Sequence, residues 1–130
     1  MSKIKLGFAL CGSFCTLSKA IDQMERLANL DYDIIPIMSF NAYNLDTKFG
    51  KAKDFIERIE EISGKKILSS LTDVEPIGPK NMTDIMLVCP CTGNTLGKLC
   101  RASTDTPVTL AVKSHLRVQK PVVISFASND

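Results

Sequence analysis

The segment most informative about the fold is Ile4-Lys-Leu-Gly-Phe-Ala-Leu10, followed directly by Cys11-Gly-Ser13. The first seven residues are apolar apart from Lys5 and Gly7, and the Gly-Ser pair closes the run. A short apolar run bounded by turn residues is typical of a strand buried on both faces of a sheet. The sequence therefore begins with a predicted inner strand of a parallel sheet.

A helix is predicted directly after this turn, because the apolar residues change to steps of three and four. The hydroxyls of Thr16 and Ser18 lie around its expected start and are candidates for its N-cap. The residues of its apolar face are Leu17, Ala20, Ile21, Met24, Leu27 and Ala28.

The alternation of strand and helix continues along the chain. Further strands are predicted over 33–38, where Pro36 indicates an edge or end position, over 84–89 and over 121–126. Between them we expect a polar loop over 39–46, a turn over 90–93 and helices over 94–102 and from Pro107, with Asp105-Thr106 at the start of the last. Another helix, capped by Asp46 or Thr47 and ended by Gly64, has the apolar face Ala52, Phe55, Ile56, Ile59 and Ile62. This order predicts one α/β domain with a doubly wound parallel sheet.

Composition excludes several classes of protein. The 130 residues are 45% hydrophobic and carry a formal net charge of +2, which argues against a dedicated nucleic-acid binder. No apolar run approaches the roughly 18 residues of a membrane span, and the first residues lack a signal-peptide pattern, so a cytoplasmic protein is expected. The five cysteines lack the spacing of zinc sites, so we expect no metal and no disulfide framework, with cysteines used as small apolar residues.

The candidate site lies where the predicted strands end, because ligands of such sheets bind beyond the carboxyl ends of the strands. The segments 10–16, 39–42 and 90–95 leave the strands there and are rich in hydroxyls and amides. Gly12-Ser13 lies between a strand and a helix, where backbone N–H groups can hold a phosphate. Neither G-x-G-x-x-G nor a P-loop is present, since Leu99 stands where the P-loop needs Ser or Thr.

Pro90-x-Thr92-x-Asn94-Thr95-x-x-Lys98 resembles the P-x-[ST]-x-N-T-x-x-K motif of the flavoprotein family of flavin-binding cysteine decarboxylases and their relatives. Gly12-Ser13 and Ser39-x-x-Ala42 fit the same family. Further blocks, spread over the chain, resemble a subgroup of that family from spore-forming bacteria: Thr47-Lys-Phe-Gly50, Glu75-Pro-Ile-Gly-Pro-Lys80, Thr104-Asp-Thr-Pro-Val108 and Ser128-Asn-Asp130.

The resemblance implies a three-layer, Rossmann-like (flavodoxin-like) fold and FMN as cofactor. The residues that it assigns to FMN are Gly12, Ser13, Phe14, Ser39, Asn41, Pro90, Thr92, Asn94, Thr95 and Lys98. Members of the subgroup work with a second subunit that carries an NAD(P)-type dinucleotide domain. Together they oxidise a dihydropyridine dicarboxylate of the lysine pathway to the aromatic pyridine dicarboxylate of endospores, in the mother cell. The resemblance also implies a homo-oligomer and a longer C-terminal portion than these 130 residues contain.

The sequence departs from the decarboxylases of the family. The block 75–80 holds no histidine where they have one, and 107–112 lacks their Pro-x-Met-Asn clamp, so no catalytic residue is assigned. His115 is expected on a helix surface. Two alternatives stay open: a non-catalytic structural subunit with this fold, and an FMN-dependent decarboxylase.

Other residues could contribute near the site. Cys11, Cys15 and Cys91 flank the strand ends, where one thiol could be redox-active if its pKa is depressed. Four cations could attract a dicarboxylate: Lys80, Lys98, Lys113 and Arg117.

Overall fold

The computed structural model describes residues 3–12, 14–48 and 50–127. The strands are β1 (Lys5–Leu10), β2 (Asp33–Met38), β3 (Ile85–Cys91) and β4 (Val122–Phe126). The helices are α1 (Phe14–Asn29), α2 (Phe40–Asn44), α3 (Ala52–Ser63), α4 (Leu71–Val74), α5 (Gly93–Cys100) and α6 (Pro107–Leu116), with a 3₁₀ turn at Glu75–Ile77 after α4.

The four strands form one parallel sheet in the order β2-β1-β3-β4. The chain passes from β1 to β2 on one side of β1, and then to β3 and β4 on the other side. This order confirms the predicted doubly wound α/β fold. The switch point lies between β1 and β3. Pro36 lies in the edge strand β2, as the sequence predicts.

Two apolar clusters cover the two faces of the sheet and give the molecule its three layers. On one face, Phe8 and Leu10 of β1 pack with Leu17 and Ile21 of α1 and with Ile59 of α3. The cluster on the other face holds Ala9, Cys11, Val88 and Cys91 from the strands, together with Val108, Ala111 and Val112 of α6. Alternate residues of β1 enter opposite clusters because successive side chains of a strand point to opposite faces.

The structure corrects several predicted boundaries. Helix α1 begins at Phe14, so Thr16 and Ser18 lie inside the helix and are not its caps. The expected loop over 39–46 contains α2, whose N-cap is Ser39. Strand β3 continues through Pro90 and Cys91, where we expected a turn, because a register shift between Val88 and Cys91 keeps the chain paired with β4.

The two candidate caps of α3 act differently from the prediction. Lys51 occupies the N-cap position, and the carboxylate of Asp46 reaches across the loop to accept the N–H of Ala52 at 2.9 Å. Thr47 instead pairs with Gly50 through backbone hydrogen bonds. Gly64 ends the helix with a φ of 68°, as predicted.

The block 75–80, for which periodicity gave no structure, is attached to α6. Gly78 is so close to α6 that a Cβ placed there would lie 2.2 Å from the carbonyl oxygen of Ser114. The Ser114 hydroxyl accepts the N–H of Gly78 at 2.7 Å and donates to the carbonyl oxygen of Glu75 at 3.0 Å. The block is therefore a structural link between the 3₁₀ turn and α6.

His115 is buried, which contradicts the predicted surface position. Its ring lies between Thr83, whose Oγ1 is 2.7 Å from Nδ1, and Pro121, whose carbonyl oxygen is 2.8 Å from Nε2. Leu116, the next residue and the last of α6, is 52% exposed. The imidazole is buried at the end of α6 because Thr83 and Pro121 provide a hydrogen-bond partner for each of its two nitrogens.

None of the helices within the described ranges is long and apolar enough to cross a membrane.

Candidate functional site: a polar cleft at the carboxyl ends of the strands

A cleft of about 350 Å³ opens at the carboxyl ends of β1, β2 and β3, beside the switch point of the sheet. Its described lining combines hydroxyls, amides, one aromatic ring and one cation, and it includes no acidic side chain. The lining residues are Gly12, Ser39, Phe40, Asn41, Thr92, Asn94, Thr95, Lys98 and Thr106.

Three helices begin at this cleft. The Ser39 hydroxyl caps α2 by accepting the N–H of Ala42 at 3.2 Å, and the Thr92 hydroxyl caps α5 by accepting the N–H of Thr95 at 3.2 Å. Thr106 caps α6 in the same way, within a capping box. Because the N-terminal end of a helix carries partial positive charge, the cleft favours an anionic or electron-rich ligand.

Lys98 is the cation of the described lining, and it is held in place by Asp105. Its Nζ lies 3.1 Å from both carboxylate oxygens of Asp105, in the loop before α6. The ammonium group lowers the pKa of the Asp105 carboxyl, because it donates hydrogen bonds to the charged form. Since Asp105 is exposed, an anionic ligand in the cleft can share this lysine with it.

Hydroxyls of the cleft lining are hydrogen-bonded to each other and to the thiol of Cys11, which lies beneath them. The Thr92 hydroxyl donates to Thr95 Oγ1 at 3.2 Å, and the thiol of Cys11 donates to the same oxygen at 3.3 Å. Cys11 follows β1, and its backbone N–H donates to the carbonyl oxygen of Pro90 at 3.1 Å. These bonds join the ends of β1 and β3 directly beneath the lining residues.

The structure brings most of the residues assigned to FMN together. Seven of the ten line the cleft: Gly12, Ser39, Asn41, Thr92, Asn94, Thr95 and Lys98. Pro90 does not line it, because it lies buried inside β3. Ser13 lies outside the described residues, and Phe14 begins α1 with a side chain that is not described.

Two lining residues were not predicted from the sequence. Phe40 follows Ser39 and is 41% exposed, so it offers apolar surface to a planar ring. Thr106 reaches the cleft through the start of α6. Thr106 was expected only near a helix start, and the position of that helix beside the cleft depends on tertiary packing.

The remaining candidates lie elsewhere. Lys113 and Arg117 border a second cavity of about 450 Å³ between α5, α6 and β4, whose lining is mainly apolar. Lys80 is exposed and is not among the residues of the polar cleft. His115 is enclosed by Thr83 and Pro121 and has no contact with the cleft lining. Among the described residues no cluster of three or more His, Cys, Asp or Glu could hold a metal.

The cysteines divide into two groups. Cys11 and Cys91 are buried and Cys89 is partly buried in the sheet, which agrees with their predicted apolar use. Cys15 on α1 and Cys100 on α5 are exposed, so the predicted use as buried apolar residues is wrong for these two. No disulfide joins any of these five cysteines.

The donor set of the cleft fits a flavin mononucleotide better than a highly charged nucleotide. Neutral hydroxyl and amide groups suit a polyhydroxy chain and the polar edge of a ring, whereas one lysine and helix N-termini suit a single phosphate. The cleft volume lies near the lower end of the range for small-molecule sites, about 300–1,000 Å³.

Comparison with known proteins found a matching family model and several similar proteins. The sequence model of the Flavoprotein family matches residues 1–130. The B subunit of dipicolinate synthase from Bacillus subtilis (strain 168) is 38% identical over 133 aligned positions, which cover the whole of this chain and 66% of that protein. The crystal structure of the corresponding B subunit of dipicolinate synthase from Bacillus halodurans superposes with a TM-score of 0.85 at 39% identity, over 100% of this chain and 68% of the other.

A more distant structure shares the fold. The FMN-dependent cysteine decarboxylase SpaF superposes with a TM-score of 0.76 at 20% identity, over 96% of this chain and 69% of its own. This chain therefore spans about two thirds of the length of the proteins it matches.

Proposed function

The chain belongs to the Flavoprotein family, and from this premise we propose that it acts as the B subunit of a dipicolinate synthase, with FMN bound in the polar cleft. The proposal is supported along the whole chain by homology to the B subunits of two Bacillus species. One structural observation carries it: seven residues of the flavin motif converge at the switch point of the sheet, around neutral donors and a single lysine.

The chain's own residues divide between the two ends of the cofactor. Gly12, Ser13 and Ser39 bind the phosphate, and Thr92, Asn94 and Thr95 donate hydrogen bonds to the ribityl chain or the ring. The other proposed contacts are Phe14, Asn41 and Lys98. When bound, FMN supplies a two-electron acceptor at this edge of the sheet. Phe40 covers the ring and excludes water.

The proposed reaction removes a hydride and a proton from a dihydrodipicolinate-level intermediate, which leaves the aromatic dipicolinate. The partner of this chain is the A subunit, which carries the NAD(P) domain. Lys98 attracts one carboxylate of the substrate, because it is the cation among the described lining residues. The proposed location of the complex is the cytoplasm of a sporulating mother cell.

Flavin binding is tested by titrating FMN and following the quenching of its fluorescence. We expect Asn94→Leu to weaken binding by about tenfold, because the substitution removes hydrogen bonds worth about 0.5–1.5 kcal/mol each. Asn29→Leu is the matched control, since Asn29 is an exposed helical asparagine that does not line the cleft. Equal affinities of the two variants would contradict the assignment of the cleft.

The synthase role is tested by mixing the chain with its A-type partner and measuring dipicolinate formation by its absorbance. We expect formation to require this chain and to fall with Asn94→Leu. If dipicolinate formation is lost without this chain but is unaffected by Asn94→Leu, the alternative of a non-catalytic structural role is favoured. Formation by the A-type partner in the absence of this chain would refute the role, and release of carbon dioxide from a cysteine peptide would favour the decarboxylase alternative.

A further inference from the structure

Cys11 and Cys91 form a buried pair of thiols beneath the cleft, and the proposed function uses neither sulfur. The thiol of Cys11 donates to Thr95 Oγ1 at 3.3 Å and that of Cys91 to the carbonyl oxygen of Thr92 at 3.6 Å, and the exposed fractions of the two residues are 1% and 0%. Both belong to the apolar cluster under α6, so they point to the same face of the sheet. Cys89, two residues before Cys91, packs on the opposite face.

The backbone sets the two cysteines directly opposite each other. The N–H of Cys11 donates to the carbonyl oxygen of Pro90, the residue before Cys91, and this is the bond that a parallel ladder makes for an opposed pair. Neighbouring strands lie about 4.8 Å apart, which is within the Cα separation of about 4.4–6.8 Å found in disulfides.

The two thiols are chemically different. Once Cys11 is ionised, Cys91, Thr95 and the backbone N–H of Thr92 donate hydrogen bonds to its sulfur, and this lowers the pKa of Cys11 to about 7 in spite of its burial. The pKa of the Cys91 thiol is raised, because its proton is held by Cys11 and burial disfavours its charged form. The pair therefore combines a thiolate that can attack with a protonated thiol beside it.

We propose that Cys11 and Cys91 are a redox pair, which a peroxide oxidises reversibly to a disulfide beneath the cleft. The thiolate of Cys11 attacks one peroxide oxygen, the O–O bond breaks, and Cys11 becomes a sulfenic acid while the other oxygen leaves as hydroxide or water. The sulfur of Cys91 then attacks the sulfur of Cys11, its proton leaves with the hydroxyl group as water, and the S–S bond forms. Two thiols and one hydrogen peroxide thus give one disulfide and two molecules of water.

The position of the pair couples this oxidation to the cleft. Gly12 follows Cys11 and Thr92 follows Cys91, and both line the cleft. The disulfide removes the hydrogen bond from Cys11 to Thr95 and draws the two strand ends together. Oxidation therefore changes the affinity of the cleft for an anionic ligand, and reduction by a small dithiol restores it.

The experiment uses the full chain with Cys15→Ser and Cys100→Ser, which removes the exposed thiols and leaves three. After treatment with hydrogen peroxide, without flavin, we expect the intact mass to fall by two hydrogen atoms and two of the three thiols to be lost. Peptide mapping should then show Cys11 joined to Cys91, and dithiothreitol should reverse both changes. An unchanged mass, or a bond to Cys89, would overturn the proposal.

Two further variants distinguish the roles of the two sulfurs. With Cys91→Ser, we expect Cys11 to accumulate as a sulfenic acid that dimedone labels, whereas Cys89→Ser should leave the disulfide unchanged. Labelling of Cys91 in preference to Cys11 would refute the assigned roles. Disulfide mapping on the otherwise native chain does not depend on whether a variant folds. Because no flavin is present, the proposal and the proposed function can fail separately.

Discussion

At the scale of single residues, His115 makes the stability of the fold depend on pH. Burial lowers the pKa of its imidazole below the ordinary 6.5, and its Nε2 donates to the carbonyl oxygen of Pro121 while Nδ1 accepts from Thr83. The neutral ring is the form that the fold favours. Its stabilising effect is therefore complete above the unfolded pKa and is lost as the pH falls through the lower, folded pKa.

The predicted measurement is a series of urea denaturations between pH 6.5 and pH 5, below the pKa of about 7 to which Cys11 is lowered. We expect the free energy of unfolding to fall across this window, with a slope of at most about 1.4 kcal/mol per pH unit for one proton. His115→Gln should flatten the slope, because an amide keeps a donor toward Pro121 and does not titrate. An undiminished slope in this variant would show that another group is responsible.

Gly78 lies so close to α6 that there is no room for a side chain at this position. A Cβ would lie 2.2 Å from the backbone oxygen of Ser114, so the 3₁₀ turn and α6 would have to separate. We expect Gly78→Ala to lower the free energy of unfolding by about 3 kcal/mol. Gly93→Ala is the control, because nothing lies within 4 Å of a Cβ placed there, and it should be nearly neutral. Similar losses in both variants would contradict the close approach.

At the scale of elements, the start of α6 is fixed by Thr106. Its hydroxyl accepts the N–H of Thr109 at 3.1 Å, and the Thr109 side chain accepts the N–H of Thr106 in return. We expect Thr106→Ala to cost about 1 kcal/mol in thermal or urea denaturation, and Thr106→Ser to restore most of it. If serine is no better than alanine, the cap does not act through its oxygen.

The elements predicted correctly from the sequence are those whose own residues show an apolar pattern or a helix cap. β2 was predicted with its observed bounds, and the start of α6 followed from Thr106-Pro107. The short helix α2 was missed because five residues give no helical period. The extension of β3 was missed because Pro90 and Gly93 indicate a turn, whereas pairing with β4 keeps the chain extended as far as Cys91.

The candidate site likewise combines residues that were predicted from the sequence with contacts that were not. A motif of neighbouring residues indicated Thr92, Asn94, Thr95 and Lys98, because one strand–helix junction presents them all. Contacts between distant segments could not be predicted in this way. The pairing of Cys11 with Cys91 depends on a register shift, and the inward position of His115 depends on Thr83 and Pro121.

At the scale of the whole molecule, the exposed apolar surface is concentrated at one edge. Five of the ten large hydrophobic residues that are exposed in the described chain lie in α6, β4 and the segment between them: Leu116, Val118, Val123, Ile124 and Phe126. β4 is also an edge strand, which can pair with another chain. Because the family resemblance implies both a longer C-terminal portion and a homo-oligomer, either can cover β4, and the assembly of this chain in solution distinguishes the two.

Sedimentation velocity at several concentrations tests this assembly. We expect the unmodified chain to sediment as an oligomer and Val123→Lys to shift it toward the monomer, because a charge on an edge strand opposes both apolar burial and strand pairing. Leu30→Lys is the control, since Leu30 is 70% exposed at the end of α1, outside this surface. An oligomer that withstands Val123→Lys, or that both substitutions weaken equally, would place the interface elsewhere. Because β4 and α6 border the second cavity while the polar cleft opens at the strand ends, Val123→Lys should leave the affinity for FMN unchanged.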